Sequence, residues 1–444
     1  MIQRHTFQNG LELVYQSSDR AIPITSIYVF CKVGSAYETD PVRGASHFVE
    51  HMTFKGTEKV KKVRNLLLKY NNIGSESNGF TYHNYTCYYI KADDQYFQKA
   101  YDILVDVLLH STFPKKEFVK EQNVVVEENI RNEDDNINLI TERIESIYYK
   151  GSSYENPVDC IKYHPTPTHL KYEDMYDWYK WFYVPSNMII SIVSQLPFSH
   201  IKNIVAHSDM TQKCDKQSDK QSDKQSDKRE KPPFALSTPK LDLLPIGPFS
   251  VNYYHKKSVK ATTLSAGFRI GGHNSKDKYS LMILREILNG FGGRLFMEFR
   301  TKHGLTYRTK CIMDIQEHAG YFTIFLQTDP EKIIEIVSIL LHFLKDLKKG
   351  ITEDELRRGK VLIKGGLLRS MENIDTLAIY NGEESMYGDF VPFQELYSRK
   401  FARITKKQVD DVILRYFKDM VVCILYDKIP KKKIDAMFSE YKQF

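Results

Sequence analysis

Cysteine is scarce and scattered. Cys31, Cys87, Cys160, Cys214, Cys311 and Cys423 are spread over 444 residues, with no C-x-x-C pair. That excludes a disulfide framework and a zinc ribbon, and fits free thiols in a reducing compartment. No run of 18 or more apolar residues occurs, so no membrane span is expected. The opening Met1-Ile2-Gln3-Arg4-His5 starts no apolar stretch, and no Arg-rich, Ser-rich amphipathic leader follows. Neither a secretory signal nor a mitochondrial leader is expected, which points to an intracellular, cytoplasmic protein. A large charge surplus is missing too. Lys and Arg number 63 against 56 Asp and Glu, a net +7. Over this length the bias is weak, no RNA or DNA motif accompanies it, and no nucleic-acid partner is expected.

What is present is an ordinary globular composition, 42% hydrophobic and 27% charged. This excludes wholesale disorder, collagen and a coiled-coil rod. The length allows two to four domains at roughly 100–200 residues each. Charge divides unevenly along the chain. Residues 1–210 hold 22 Lys/Arg and 26 Asp/Glu, whereas residues 246–444 hold 33 and 24. Between these halves Gln-Ser-Asp-Lys occurs three times in succession, from Gln217 to Lys228. A tract this polar cannot offset its ordering entropy, so residues 211–245 read as a disordered linker.

The halves resemble each other. Ser26–Val33 and Thr263–Ile270 read as strands ending at glycine, each followed by a helical pattern, from about Gly44 and Lys278. Tyr172–Tyr183 and Lys406–Lys418 read as amphipathic helices, the second with Thr405 and Gln408 at capping-box spacing. Each leads into an apolar strand, Met188–Val193 and Met420–Leu425. The expectation is a duplicated α+β fold, with domains at 1–210 and 246–444.

One motif carries chemistry. In His47-Phe48-Val49-Glu50-His51 the two histidines lie one helical turn apart on one face, so both imidazoles can reach a single ion. Glu50 lies beside them, placed to take a proton from water activated by zinc. Three fixed residues recur by chance in roughly a few per cent of chains this long, so the surroundings must decide. A catalytic zinc needs a third protein ligand. The helical stretch Lys116–Glu133 offers Glu117, Glu121, Glu127, Glu128 and Glu133. Glu121 and Glu128, seven apart, share nearly one face, which favours Glu128 as ligand with Glu121 behind it.

In context the chain resembles the pitrilysin, insulin-degrading enzyme and mitochondrial processing peptidase family of inverted zincins, in its short two-domain branch. Val33-Gly34-Ser35-Ala36-Tyr37-Glu38, Gly44-Ala45-Ser46, the histidine motif and Phe54-Lys55-Gly56-Thr57 carry the likeness. So do Ser77-Asn78-Gly79-Phe80-Thr81, Arg294-Leu295-Phe296 and the run from Arg300 to Tyr307.

The resemblance implies two tandem, similar α/β-sandwich domains with antiparallel-rich sheets. It implies a third ligand 77 residues after His51, which is Glu128, with Glu121 seven residues before it. It implies an edge strand at Asn78, Gly79 and Phe80 on which substrate backbone is laid, although the family usually has Ala where Gly79 stands. It implies that Arg300 and Tyr307 hold the substrate carbonyl and the developing oxyanion. The second-domain counterpart of the histidine helix, near Leu284-Arg285-Glu286-Ile287-Leu288, has no ligand set, so one Zn2+ per chain is expected. The implied function is a zinc endopeptidase acting on small or unstructured peptides or presequence-like segments, with Glu50 as general base. Presence of both the zinc motif and the Arg–Tyr pair favours a homodimer over a heterodimer, and the acidic first half favours basic peptides. The alternative is a catalytically silent scaffold or processing-type subunit of the same fold. Retention of all three ligands and the base favours the enzyme.

Overall fold

In the computed structural model, residues 2–19, 21–158, 170–212, 243–245, 249–388, 390–417 and 420–441 are described. The Gln-Ser-Asp-Lys repeats and most of the expected linker lie outside them, as do Cys160 and Cys214. Among the described residues the other four cysteines are buried free thiols.

The strands form two sheets. The first comprises β1 (Ile2–Thr6), β2 (Glu12–Ser17), β3 (Ile24–Cys31), β4 (Glu76–Thr81), β5 (Thr86–Asp93) and β6 (Met188–Ser194), in the order β1-β2-β6-β3-β5-β4. The second comprises β7 (Ser250–His255), β8 (Thr262–Gly271), β9 (Arg308–Ile315), β10 (Ala319–Thr328) and β11 (Val421–Tyr426), in the order β7-β11-β8-β10-β9. Without β1 the two orders are the same topology. Each sheet has one parallel pair, β2 with β6 and β7 with β11, and is otherwise antiparallel. This is the expected α+β duplication.

The compact units are not contiguous halves. One comprises Met1–Ile130, Asn156–Lys240 and Ser370–Phe393; the other comprises Arg131–Glu155, Leu241–Arg369 and Gln394–Phe444. Relative to the expected 1–210 and 246–444, each half lends one helical segment to the other's unit. The reason lies in the apolar faces of those helices. Asn136–Tyr148 buries Ile140, Ile144 and Tyr148, one turn apart, against β8 and β11. Tyr149 Oη donates to Asp314 at 2.7 Å, and Tyr321 Oη donates to Glu145 at 3.0 Å. Ile374–Tyr387 packs on β3 and β6. There Asn381 Nδ2 donates to Gln16 at 2.8 Å and Tyr85 Oη to Glu383 at 2.6 Å. A Cβ at Gly382 would stand 2.1 Å from Phe30 Cε2, so this approach requires glycine. Covered in this way, β3 and β6 are buried along nearly their whole length, and both read as mostly apolar runs broken only by small hydroxyl residues.

Candidate metal centre

The histidine motif lies on the helix Ala45–Thr53. Gly44 precedes it at φ +86, a left-handed conformation that suits glycine. The first N–H groups of a helix have no partners within it. Here Gly44 N and Ser46 N donate to the two carboxylate oxygens of Glu38, at 2.6 and 2.8 Å. Burial pushes the Glu38 carboxyl up to about 7, even against these N–H bonds and the neighbouring Arg43. Phe48, Val49 and Met52 bury the opposite face in the first unit's core, which fixes where the two imidazoles point.

His47 Nε2 and His51 Nε2 lie 3.1 Å apart. Glu128 Oε2, from the helix Lys115–Asp134, is 3.5 Å from His51 Nε2 and 4.0 Å from His47 Nε2. A tetrahedral ion with bonds of 2.0–2.2 Å separates its ligand atoms by about 3.3–3.6 Å. The His51–Glu128 separation falls in that range and the other two depart from it by a few tenths of an ångström, so small side-chain shifts would let the three atoms take an N,N,O-bound cation. Among the described residues this is the group of His, Cys, Asp or Glu side chains that could hold a metal ion.

Electrostatics agree with the geometry. Burial, with His51 beside it, pushes His47 down to about 3, so its lone pair stays available near neutral pH. Burial alone would also lower His51, but its hydrogen bond to Glu121 and the Glu50 and Glu128 carboxylates outweigh that and raise it. A site that favours positive charge at this point favours a cation there, which displaces the proton. His51 Nδ1 lies 3.0 Å from Glu121 Oε1, a bond that turns Nε2 toward the ligand cluster. Burial would raise Glu121, but His51 and Lys55 hold it below the usual carboxylate range.

Glu50 is buried, and its Oε2 accepts a 2.8 Å hydrogen bond from Thr81 Oγ1. Its Oε1 faces Gly79, where an added Cβ would stand 3.1 Å away. Gly79 belongs to β4, the edge strand of the first sheet, which pairs with β5 alone. Asn78 is exposed on that edge, and Phe80 packs edge-on against Tyr82 and Tyr85. One cavity of 410 Å³ joins His47, His51, Glu128, Glu50, Glu121, Asn78, Gly79 and Phe80. A larger cavity of 640 Å³ in the same unit, near Lys69 and Asp106, holds no such donor set among the described residues.

Arg300 and Tyr307 lie in the second unit, where they line a separate cavity of 240 Å³. Arg300 sits on a π-helical turn, Phe296–Lys302, with its guanidinium 5.3 Å from the Phe296 ring. Tyr307 is 63% exposed, and its hydroxyl donates to Asp329 at 2.5 Å.

Three contributors were not singled out from the sequence as site residues: Glu38, Thr81 and Lys55. Each lies within a quoted motif, and two had a usable signal. Thr81 is two residues from Gly79 and so shares its face of the strand. Lys55 continues the four-residue spacing of His47 and His51.

Comparison with known proteins gives the chain's family and fold. The profile of the family described as Insulinase (Peptidase family M16) matches residues 13–162, and that of the Peptidase M16 inactive domain matches residues 169–361. The chain is 29% identical over 388 residues to the Bacillus subtilis protein named uncharacterized zinc protease YmxG, covering 87% of this chain and 88% of the relative. It is 23% identical over 440 residues to a probable mitochondrial-processing peptidase subunit beta of Arabidopsis thaliana, covering 94% and 77%. In fold it matches the crystal structure of a protease from Helicobacter pylori, with TM-score 0.81 and 22% identity over 96% of this chain and 99% of the other. The chain belongs to the insulinase, or pitrilysin, family M16 of peptidases.

Proposed function

We propose that the protein is a zinc-dependent endopeptidase that cleaves small or unstructured peptides. The observation that carries this is the convergence of His47, His51 and Glu128 within 4.8 Å, in one cavity with Glu50 and the free edge of β4. Two imidazoles and one carboxylate are a typical catalytic zinc donor set. Zinc, when bound, supplies Lewis-acid activation of water and of the scissile carbonyl. His47, His51 and Glu128 hold the ion, and Glu121 orients His51.

Glu50 takes the proton as water attacks, then passes it to the leaving amine. Thr81 keeps that carboxylate in place. The unpaired edge at Asn78, Gly79 and Phe80 binds an extended peptide as an added strand, which selects for unfolded segments. Arg300 and Tyr307 are assigned as donors to the substrate carbonyl and oxyanion. One zinc per chain and pairing of two copies complete the proposal. Metal analysis of the purified chain and cleavage of an unstructured peptide library test it, with Glu50→Gln as control. Stoichiometric zinc with no cleavage, or cleavage unaffected by Glu50→Gln, would refute it.

A further inference from the structure

Behind His51 stands Glu121, and behind Glu121 stands a cation. The two carboxylate oxygens of Glu121 have separate partners. Oε1 lies 3.0 Å from His51 Nδ1, and Oε2 lies 2.7 Å from Lys55 Nζ. Both side chains are largely buried, with Lys55 22% and Glu121 6% exposed. A buried carboxylate is tolerated only when it is paired and hydrogen-bonded. Among the described residues lining the site cavity, Lys55 is the one lysine or arginine, set against Glu50, Glu121 and Glu128.

The backbone keeps this lysine where it is. Lys55 N donates to Met52 O at 3.1 Å as the histidine helix ends. Gly56 follows at φ +135, and a Cβ there would meet Lys61 O at 2.9 Å. Gly56 O accepts from Thr112 N at 3.1 Å. The turn is thus pinned on both sides, and the ammonium is aimed back at Glu121.

We infer that Lys55 is a positioning residue of the metal centre: by holding Glu121 Oε2 it fixes the carboxylate whose Oε1 sets the orientation of His51. This rests on the metal-peptidase reading above. Without Lys55 the carboxylate can rotate away from Nδ1. His51 Nε2 then loses its fixed direction toward His47 Nε2 and Glu128 Oε2.

A bare charge effect has the opposite sign. Deleting a cation beside a cation-binding site should tighten metal binding by Coulomb's law alone. Positioning and electrostatics are therefore told apart by the direction of the change.

The test is a double-mutant cycle on the full chain, read as zinc affinity in competition with a chromogenic chelator. Lys55→Met should weaken zinc about 10–100-fold, the usual effect of losing a partner of a metal ligand. Lys55→Arg should stay within about threefold of wild type, since it keeps a cation within reach of Oε2. Lys55→Met added to Glu121→Gln should change nothing further, because Lys55 acts through Glu121. Unfolding of each metal-free variant reports its folding, and Lys55→Gln replaces the Met variant should that one not fold. Zinc held equally or more tightly by Lys55→Met, or losses that add in the double variant, would overturn the inference. A wild-type chain that binds zinc but cleaves nothing defeats the peptidase reading, and the cycle still judges Lys55. A wild-type chain that binds no zinc overturns both.

Discussion

Thr81→Val tests most directly how the base is held. Valine keeps the shape of threonine and removes only the hydroxyl. In the native chain that hydroxyl donates to Glu50 Oε2 at 2.8 Å, and Glu50 and Thr81 are 8% and 9% exposed. A hydrogen bond to a charged acceptor contributes about 1.5–3 kcal/mol. At about 1.4 kcal/mol per factor of ten, full expression of that loss in the barrier would slow turnover about 10–150-fold. Part of the loss is offset, because a carboxylate stripped of a donor is a stronger base. The expected fall in kcat is therefore near the lower end, about tenfold. KM should not move, since the β4 backbone that would receive the peptide is unchanged. Thr81→Ser restores the donor and should restore kcat. The assay is steady-state cleavage of an unstructured fluorogenic peptide, with zinc content and unfolding midpoint measured on the same preparations. Turnover within about twofold of wild type for the zinc-loaded Val variant would refute the positioning role, as would an equal loss in the Ser variant.

Four further outcomes are expected. Gly382→Ala should cost about 1–3 kcal/mol or more in denaturant unfolding, because its Cβ would stand 2.1 Å from Phe30 Cε2. Gly366→Ala, in the helix Glu353–Ser370 with nothing within 4 Å of its Cβ, should instead stabilise by about 0.5–1 kcal/mol. Tyr307→Phe should leave the unfolding midpoint unchanged, since the side chain is 63% exposed, while kcat falls about 100-fold or more if its hydroxyl meets the oxyanion. Glu38, raised to about 7 in the fold from 4.5, adds stability that is full below its unfolded pKa and is lost as pH rises through about 7. Glu38→Gln should therefore flatten the decline in unfolding midpoint between about pH 4.5 and pH 7, and an unchanged slope would remove Glu38 as its source.

The residues of the candidate metal centre are legible in the sequence because they are local. His47, Glu50 and His51 fall within one helical turn, and a period of 3.6 residues fixes their relative directions. Glu121 and Glu128 are legible for the same reason on a second helix. Paired strands such as Thr263–Ile270, observed as Thr262–Gly271, stand out as largely apolar runs ending at glycine. The capping box at Thr405 and Gln408 forms as its spacing suggests. Lys55 and Thr81 are harder to see, because each acts across a long sequence separation, while Glu38 reaches Gly44 and Ser46 across an irregular turn that carries no periodicity. The Thr81 bond to Glu50 spans 31 residues, and the pairing of Lys55 with Glu121 joins a loop to a distant helix. Nothing in periodicity reports such meetings. The exchanged helices are hidden for a related reason. An amphipathic face states that it must be covered, but not by which sheet.

That exchange alters what the second half of the sequence is for. The two sheets share one topology, yet the helix after β8, Lys278–Leu288, has no histidine and buries Leu281, Ile283, Leu284, Ile287 and Leu288. Its positions serve packing where Ala45–Thr53 presents imidazoles. The half without the ligand set is still not dispensable to the half that has it. Ile374–Tyr387 closes the face of β3 and β6, whose loops and neighbours carry the histidine helix and the β4 edge. Gln16, Tyr85 and Lys91 of the first half each find their partner there, in Asn381, Glu383 and Asp375. An isolated fragment of residues 1–210 would expose that apolar face and deprive Gln16 and Tyr85 of those partners, so it should not fold into the first compact unit alone. The duplicated fold works as one protein because each repeat supplies a wall that the other's sheet lacks.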